Sequence, residues 1–182
     1  MFSSIRSVLL RSFLALSGLL LSGMVPVPDS SDPNSWKSLV ISGRFQITVP
    51  VTWDSTMYDL PAAGQEMTII RDPDDDTWEV QVIAVLNEEG QVCDETLLEE
   101  VSRSFMEGAE YRPLEGVSPS YNSHVLSLIH ACTDKEGRTV MMVTRAAGPY
   151  IVFIIGIYEK SEAISKGAAE LGVMAGSLVY II

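Results

Sequence analysis

Alternation of hydrophobic and polar residues with a period of two predicts the first strands of this chain. Residues Phe45 to Val49 alternate in this way and end at Pro50, which predicts a strand with one buried face. Glu66 to Arg71 and Trp78 to Leu86 are predicted as two further strands. Because the aspartate-rich segment 72–76 between them has turn composition, we expect these two strands to form a hairpin.

A period near 3.6 residues predicts two helices. Hydrophobic residues recur every four positions from Leu97 to Phe105, with Asp94 or Thr96 as the alternative N-caps. Gly108 is placed to end this helix in a left-handed turn. A second helix is predicted from Ser161 onward, and its glycines would permit a close approach to the sheet.

Three more strands are predicted between the helices: His124 to Cys132, Arg138 to Arg145 and Tyr150 to Tyr158. The last two are nearly continuous in hydrophobic residues, which is typical of strands covered on both faces. Short links between consecutive strands favour antiparallel pairing. The pattern as a whole predicts an α+β fold, a mostly antiparallel sheet of about six strands with a helix packed on each face.

The first 28 residues contain two arginines and no acidic residue, and they include a short apolar run from Phe13 to Leu21. This arrangement predicts an export signal peptide, because a spanning helix needs about 20 consecutive apolar residues. We therefore expect an exported protein, periplasmic or extracellular, with anchoring by the N-terminal segment as the alternative. The expected organisation is a signal peptide or anchor over 1–28, a linker over 29–42 and a single α+β domain over 43–182.

The charge balance restricts the partners. The chain has 24 acidic and 12 basic residues, a net charge of −12. Such a charge repels nucleic-acid phosphates and anionic membrane surfaces, so we expect neither as a partner. A protein partner in the cell envelope is expected instead. The excess of acid is interpreted as a contribution to solubility, with a basic partner as the alternative. After signal removal we expect no membrane span.

Cys93 and Cys132 are the two cysteines, and in an oxidising compartment they are candidates for a disulfide. Two separate buried thiols are the alternative.

Asp72, Asp74 and Asp76 occupy alternate positions, as ligands of a calcium loop do. The glycine and glutamate of an EF-hand loop are missing, so a solvated hairpin tip is the competing interpretation. We expect no bound metal. If calcium binds weakly, these three aspartates are its candidate ligands.

The sequence contains no recognisable catalytic or phosphate-binding motif, and we expect neither an enzyme nor a cofactor. A hydrolase or redox enzyme using His130 and Cys132 is an alternative, but residues two apart on a strand stand about 6.6 Å apart, too far for a direct hydrogen bond.

A binding groove is the remaining candidate site, and we predict that it contains Trp53, Met141, Met142 and Phe153. Trp53 is either a plug of the core or a ligand contact.

The segment from Phe45 to Trp53, with the pattern F-x-I-x-V-P-x-x-W, resembles the opening of the PsbP-like superfamily, which includes PsbP of the photosystem II lumen and bacterial DcrB-related envelope proteins. The order of elements over residues 43–182 is similar to theirs, and Ser177 lies near the end of the last helix as it often does in members. The resemblance implies an antiparallel sheet flanked by helices and a non-enzymatic role in binding or assembly. It carries over no catalytic residue.

The main functional hypothesis is an exported, non-enzymatic domain that binds or helps assemble another envelope protein. Alternatives are a carrier of a small or lipophilic molecule and a cytosolic secretion chaperone of the same fold.

Overall fold

The computed structural model describes residues 36–60, 65–87 and 92–181. The predicted signal peptide over 1–28 and the first part of the predicted linker lie outside the described residues. Two helices are present in the described part, α1 (Glu95–Gly108) and α2 (Ser161–Ser177). The strands there are β1 (Trp36–Ile41), β2 (Phe45–Pro50), β3 (Asp54–Asp59), β4 (Glu66–Arg71), β5 (Trp78–Leu86), β6 (Arg112–Pro113), β7 (Ser120–Asn122), β8 (Ser127–Thr133), β9 (Thr139–Ala147), β10 (Tyr150–Tyr158) and β11 (Val179–Tyr180).

The strands form two sheets, and every pairing is antiparallel. The large sheet has the order β3-β4-β5-β10-β9-β8-β6, and β7 also pairs with β8. The small sheet has the order β1-β2-β11. The mostly antiparallel α+β class is confirmed, whereas the expected number of six strands was too low.

The predicted linker over 29–42 is also corrected, because β1 occupies Trp36–Ile41 and pairs along its whole length with β2. The linker prediction rested on proline and polar residues before Trp36 and overlooked the hydrophobic residues that follow them. The folded unit therefore begins at or before Trp36.

The core consists of two hydrophobic clusters that take alternate residues of β10. Val152 and Ile154 belong to the cluster that includes α2 and β2. Phe153 and Ile155 belong to the cluster that includes Leu98 of α1. Because successive side chains of a strand point to opposite faces, these clusters lie on opposite sides of the large sheet.

A close approach of α2 to the sheet depends on Gly167. A Cβ atom at this position would collide with the ring of Tyr158 and would press on the ring of Trp78. These two rings stack with their centroids 5.3 Å apart. The glycine therefore lets the helix backbone lie directly on the aromatic pair. This agrees with the prediction that the glycines of this helix permit a close approach to the sheet.

The ends of α1 are set by Asp94 and Glu110. The side chain of Asp94 accepts a hydrogen bond from the backbone N–H of Leu97 at 3.0 Å, which makes Asp94 the N-cap. At the other end the N–H of Tyr111 donates to the carbonyl of Met106, and Glu110 has a φ of 58°. This is a Schellman motif, so the left-handed residue is Glu110 and not the predicted Gly108.

The predicted strand from His124 began too early. Residues 123–126 form a turn, and β8 starts at Ser127. The side chain of Asn122 accepts a hydrogen bond from the backbone N–H of His124 at 2.9 Å, which holds the chain in the turn. Side-chain oxygens of asparagine commonly stabilise turns in this way, and they compete with strand pairing.

Candidate functional site

A cleft of about 460 Å³ opens beside β3, at one end of the large sheet. It lies between β3, the turn that joins β4 to β5, and the ends of β5 and β10. Most of its charged walls are acidic. The lining residues are Asp54, Thr56, Arg71, Asp72, Pro73, Asp76, Trp78, Glu79, Arg138, Ile157 and Glu159.

Arg138 adds little free positive charge to this cleft because acids already surround it. Its guanidinium donates hydrogen bonds to Asp134 at 2.6 Å and to Glu159 at 2.8 Å, and it lies 3.5 Å from Glu136. The hydrogen bonds that Arg138 donates to Glu159 and Asp134 raise its pKa above the usual value. Only Arg71 remains among the lining residues as a cation outside this cluster, and in the strand register it stands opposite Asp54. The cleft is therefore a negatively charged surface.

β3 forms the outer boundary of this cleft and differs from the other long strands of the sheet. It pairs with β4 from Asp54 to Asp59, and it stands at the end of the strand order. All six residues are exposed. Met57 retains 57% and Tyr58 45% of its accessible surface, and the two side chains point to opposite faces of the strand. Within the described residues, no other strand pairs with the free edge of β3.

The candidate calcium ligands Asp72, Asp74 and Asp76 lie in the β4–β5 turn. A side-chain oxygen of Asp72 accepts the N–H of Asp74 at 3.1 Å, which is an ordinary turn contact. No group of three or more histidine, cysteine or acidic side chains that could hold a metal ion is found among the described residues. Asp72, Asp74 and Asp76 therefore do not converge as a set of three ligands in this structure. Asp72 and Asp76 instead belong to the wall of the acidic cleft.

The predicted groove of Trp53, Met141, Met142 and Phe153 is wrong. Trp53 is buried and packs edge-on against Trp78, with ring centroids 4.6 Å apart, so it is a plug of the core. Met141 lies in the α2 cluster, while Met142 and Phe153 lie in the α1 cluster on the other face. Side chains on opposite faces of one sheet cannot line a common groove, and all four are enclosed by packing.

The predicted disulfide is not present, since Cys93 and Cys132 are both free cysteines. Cys132 is buried, and burial raises the pKa of its thiol to about 12. Its hydrogen-bond partner is the sulfur of Met106 at 3.9 Å. A thiol that stays protonated at neutral pH is a poor nucleophile, so this residue does not suit the considered pairing with His130.

His130 is also buried on the α1 face, where desolvation lowers the pKa of its imidazole. Its Nε2 atom is shielded from solvent and has no hydrogen-bond partner among the described residues. The ring lines a second, smaller cavity at the edge of β8. No sequence motif indicated this cavity, because the loop that closes it lies more than ten residues away along the chain.

The comparisons with known proteins concern the fold. The solution structure of cyanobacterial PsbP (CyanoP) from Synechocystis sp. PCC 6803 is similar to this chain, with a TM-score of 0.57 and 9% sequence identity. The match covers 84% of this chain and 96% of that one. The fold is PsbP-like. No family model and no curated sequence matches the chain. The PsbP-like fold confirms what the F-x-I-x-V-P-x-x-W segment indicated, at the level of architecture.

No helix in the described ranges combines the length and the apolar composition that crossing a membrane requires.

Proposed function

We propose that this protein is an exported, non-enzymatic domain that binds or helps assemble another protein of the cell envelope. The observation that carries the proposal is the open edge of β3, six exposed residues long. An extended segment of a partner can add to such an edge through main-chain hydrogen bonds, with side-chain contacts giving specificity. The resemblance to PsbP-like proteins, which implies a role in binding or assembly, supports the same function.

The side chains of β3 favour binding over protection of the edge. Natural proteins often guard edge strands with charges that prevent pairing. Here the charges, Asp54 and Asp59, stand only at the two ends of the strand. The four residues between them are uncharged, and Met57 and Tyr58 offer hydrophobic area on both faces. A partner strand therefore meets an edge that is open along its centre.

Charge selects the kind of partner. Asp54 and Asp59 are five residues apart, which is about 17 Å along a strand, and they point to opposite faces. Two antiparallel copies of β3 would place these aspartates against each other, and like charges directly opposite are destabilising. The acids of the cleft extend the negative surface beside Asp54. The proposed partner is therefore an extended segment with lysine or arginine near both ends, rather than a second copy of this chain.

The proposed location depends on the N-terminal residues. Their basic start and short apolar run support export, and the burial of Cys132 supports the absence of thiol chemistry. We expect N-terminal sequencing of the protein from its native host to find a start after the apolar run that ends at Leu21. Uncut chain in the cytosol would instead support the chaperone alternative.

Strand addition can be tested on the mature protein with a defined probe. The probe is a capped six-residue peptide with lysine at both ends and alternating threonine and valine between them. The comparison peptide has glutamate at both ends. We expect the lysine peptide to slow amide hydrogen exchange of β3 residues by about tenfold or more at saturation, because their outward N–H groups become hydrogen-bonded. The glutamate peptide should leave exchange unchanged.

Two matched variants make this test specific. Met57→Lys adds a positive charge to the proposed edge and should weaken binding of the lysine peptide at least tenfold. Val179→Lys adds the same charge at a similarly exposed position on the small sheet and should have no effect. Equal binding of both peptides, or protection of amides away from β3, would contradict the proposal.

The partner itself can be identified in the native host. A photo-crosslinking residue at position 58 should give a discrete crosslinked product, while the same residue at position 40 on β1 should not. Replacing Asp54 and Asp59 together by asparagine should remove the product. Products that are the same from both positions, or that survive the double replacement, would count against β3 as the contact.

A further inference from the structure

A second cavity, of about 360 Å³, lies at the edge of the large sheet where β8 loses its strand partner. β6 pairs with the end of β8 through Pro113 and Cys132, and β7 pairs with its start through Ser120 and Ile129. Between these two pairings the loop 114–119 does not continue the strand pairing with β8, although Leu114 and Val117 pack against the α2 cluster. Its first residue is tied back to the strand by the hydrogen bond from Leu114 N–H to the carbonyl of Ala131 at 2.9 Å. The cavity is the space that this loop leaves beside β8.

The walls of this cavity are mainly hydrophobic and come from three separate parts of the fold. α1 contributes three residues from its middle to its last turn, β6 and the loop after it contribute two prolines and a valine, and β8 contributes two residues in the middle of the strand. The lining residues are Glu99, Arg103, Met106, Pro113, Val117, Pro119, His130 and Ala131. Glu99 and Arg103 are exposed and carry opposite charges, so the cavity has no net formal charge at its rim.

His130 gives this cavity a polar side chain whose Nε2 atom no described residue pairs with. The residue is only 8% exposed, and Nε2 has no hydrogen-bond partner in the described part of the chain. Burial lowers the pKa of the imidazole and so favours the neutral ring, although the charge of Glu99 acts in the opposite direction. A buried polar atom without a partner destabilises the folded state, which is why such atoms mark places where a water or a ligand binds.

We propose that this cavity binds a small neutral molecule with a hydrophobic body and a hydroxyl group that bonds to His130. The size fits, since ligand pockets begin at about 300 Å³. A hydroxyl group both donates and accepts, so it can pair with Nε2 in either tautomer of the neutral ring. Because Nε2 is shielded from solvent in the structure, the proposed hydrogen bond requires the imidazole ring to rotate about its second side-chain torsion, which is broad for histidine. The site is separate from β3 and does not depend on the proposed protein partner.

Phenol and toluene are suitable probes, because they have nearly the same shape and differ in one hydroxyl group. We expect the mature protein to bind phenol about fivefold more tightly than toluene, the preference that one neutral hydrogen bond provides. Binding is followed by NMR titration. The shifted signals should be those of His130 and of the residues around it.

His130→Phe keeps a ring in the wall and removes both nitrogens. We expect this variant to bind phenol and toluene equally. His124→Phe is the control, since His124 is exposed in the turn before β8, and it should keep the preference of the parent protein. Thermal unfolding of both variants shows that each is folded before binding is compared. The proposal is overturned by absence of binding, by equal affinity for the two probes in the parent protein, or by an unchanged preference in His130→Phe.

Discussion

β10 and β3 belong to the same sheet, yet they have opposite environments. β10 lies between β5 and β9, and eight of its nine residues are buried. β3 has β4 as its one neighbour among the strands that the structure describes, and all six of its residues are exposed. Both strands have regular antiparallel pairing, so the difference comes from neighbours and covering layers rather than from backbone geometry. Side chains on β3 contribute little to the core, which leaves them available for recognition.

The two helices account for much of this difference. α1 contacts β8 and β9, while α2 contacts β2, β5, β9 and β10. The most completely buried strands are those beneath the helices, and burial declines through β5 and β4 toward β3. The hydrophobic contribution to stability is therefore concentrated in the centre of the large sheet.

The largest expected effect contrasts one residue from each of these two strands. Phe153→Ala removes a buried ring that stacks on Phe105 with centroids 4.3 Å apart, and we expect it to lower the free energy of unfolding by about 3–5 kcal/mol. Met57→Ala on β3 should change it by less than about 0.5 kcal/mol. Urea denaturation measures both. Similar losses of unfolding free energy in the two variants would show that β3 is covered in solution. The contrast between a buried β10 and an exposed β3 would then be wrong.

A smaller effect is expected at the border between the covered centre and the acidic cleft. Burial by itself would raise the pKa of Asp134, but hydrogen bonds from the side chain and backbone of Arg138 outweigh it and hold the pKa below its usual value. Asp134→Asn should lower the free energy of unfolding by about 1–2 kcal/mol at pH 7.

The pH dependence of this variant has a defined sign. A carboxylate whose pKa is lowered in the folded state stabilises the protein above its unfolded pKa, about 3.9. That stabilisation is lost as the pH falls through the lower folded value. The difference between Asp134→Asn and the parent protein should therefore be largest near neutral pH and should shrink below about pH 4. A difference that is constant down to pH 2 would contradict this account.

The smallest expected effect comes from a replacement at the end of α1, which should stabilise this helix and leave β3 unchanged. Glu110 adopts a left-handed conformation after α1, where glycine has no steric penalty. Glu110→Gly should raise the free energy of unfolding by about 0.5–1 kcal/mol and increase Tm by about 1–4 °C. Glu107→Gly, inside the last turn of the helix, should lower stability by about 1 kcal/mol. Destabilisation by both replacements would show that Glu110 makes a contact that offsets its strain.

The strongly patterned elements were predictable from the sequence. Glu66–Arg71, Trp78–Leu86 and Tyr150–Tyr158 are strands with the predicted bounds. Their hydrophobic periodicity reflects burial, and burial is what a period of two or a continuous apolar run reports. The F-x-I-x-V-P-x-x-W segment likewise indicated the PsbP-like fold, because its apolar positions are the buried face of β2 and the core plug Trp53.

Weakly patterned elements were not predictable. β3 has no alternation of hydrophobic and polar residues because neither of its faces is buried. No periodic pattern in its six residues therefore indicated a strand. β6 and β11 have two residues each and exist through pairing with β8 and β2. The predicted groove failed for a related reason, since hydrophobic residues show that a side chain is buried without showing which face of the sheet it occupies.

The amino-acid sequence alone determined the acidic character of this chain, its central strands and helices, and the α+β class, because each depends on composition or on local periodicity. Tertiary structure decided the rest. The edge of β3 is open because no other strand of the described residues pairs beside it, and the cavity at His130 exists because the loop 114–119 interrupts the strand pairing of β8 there. Both features depend on contacts between residues far apart along the chain, which local patterns do not encode.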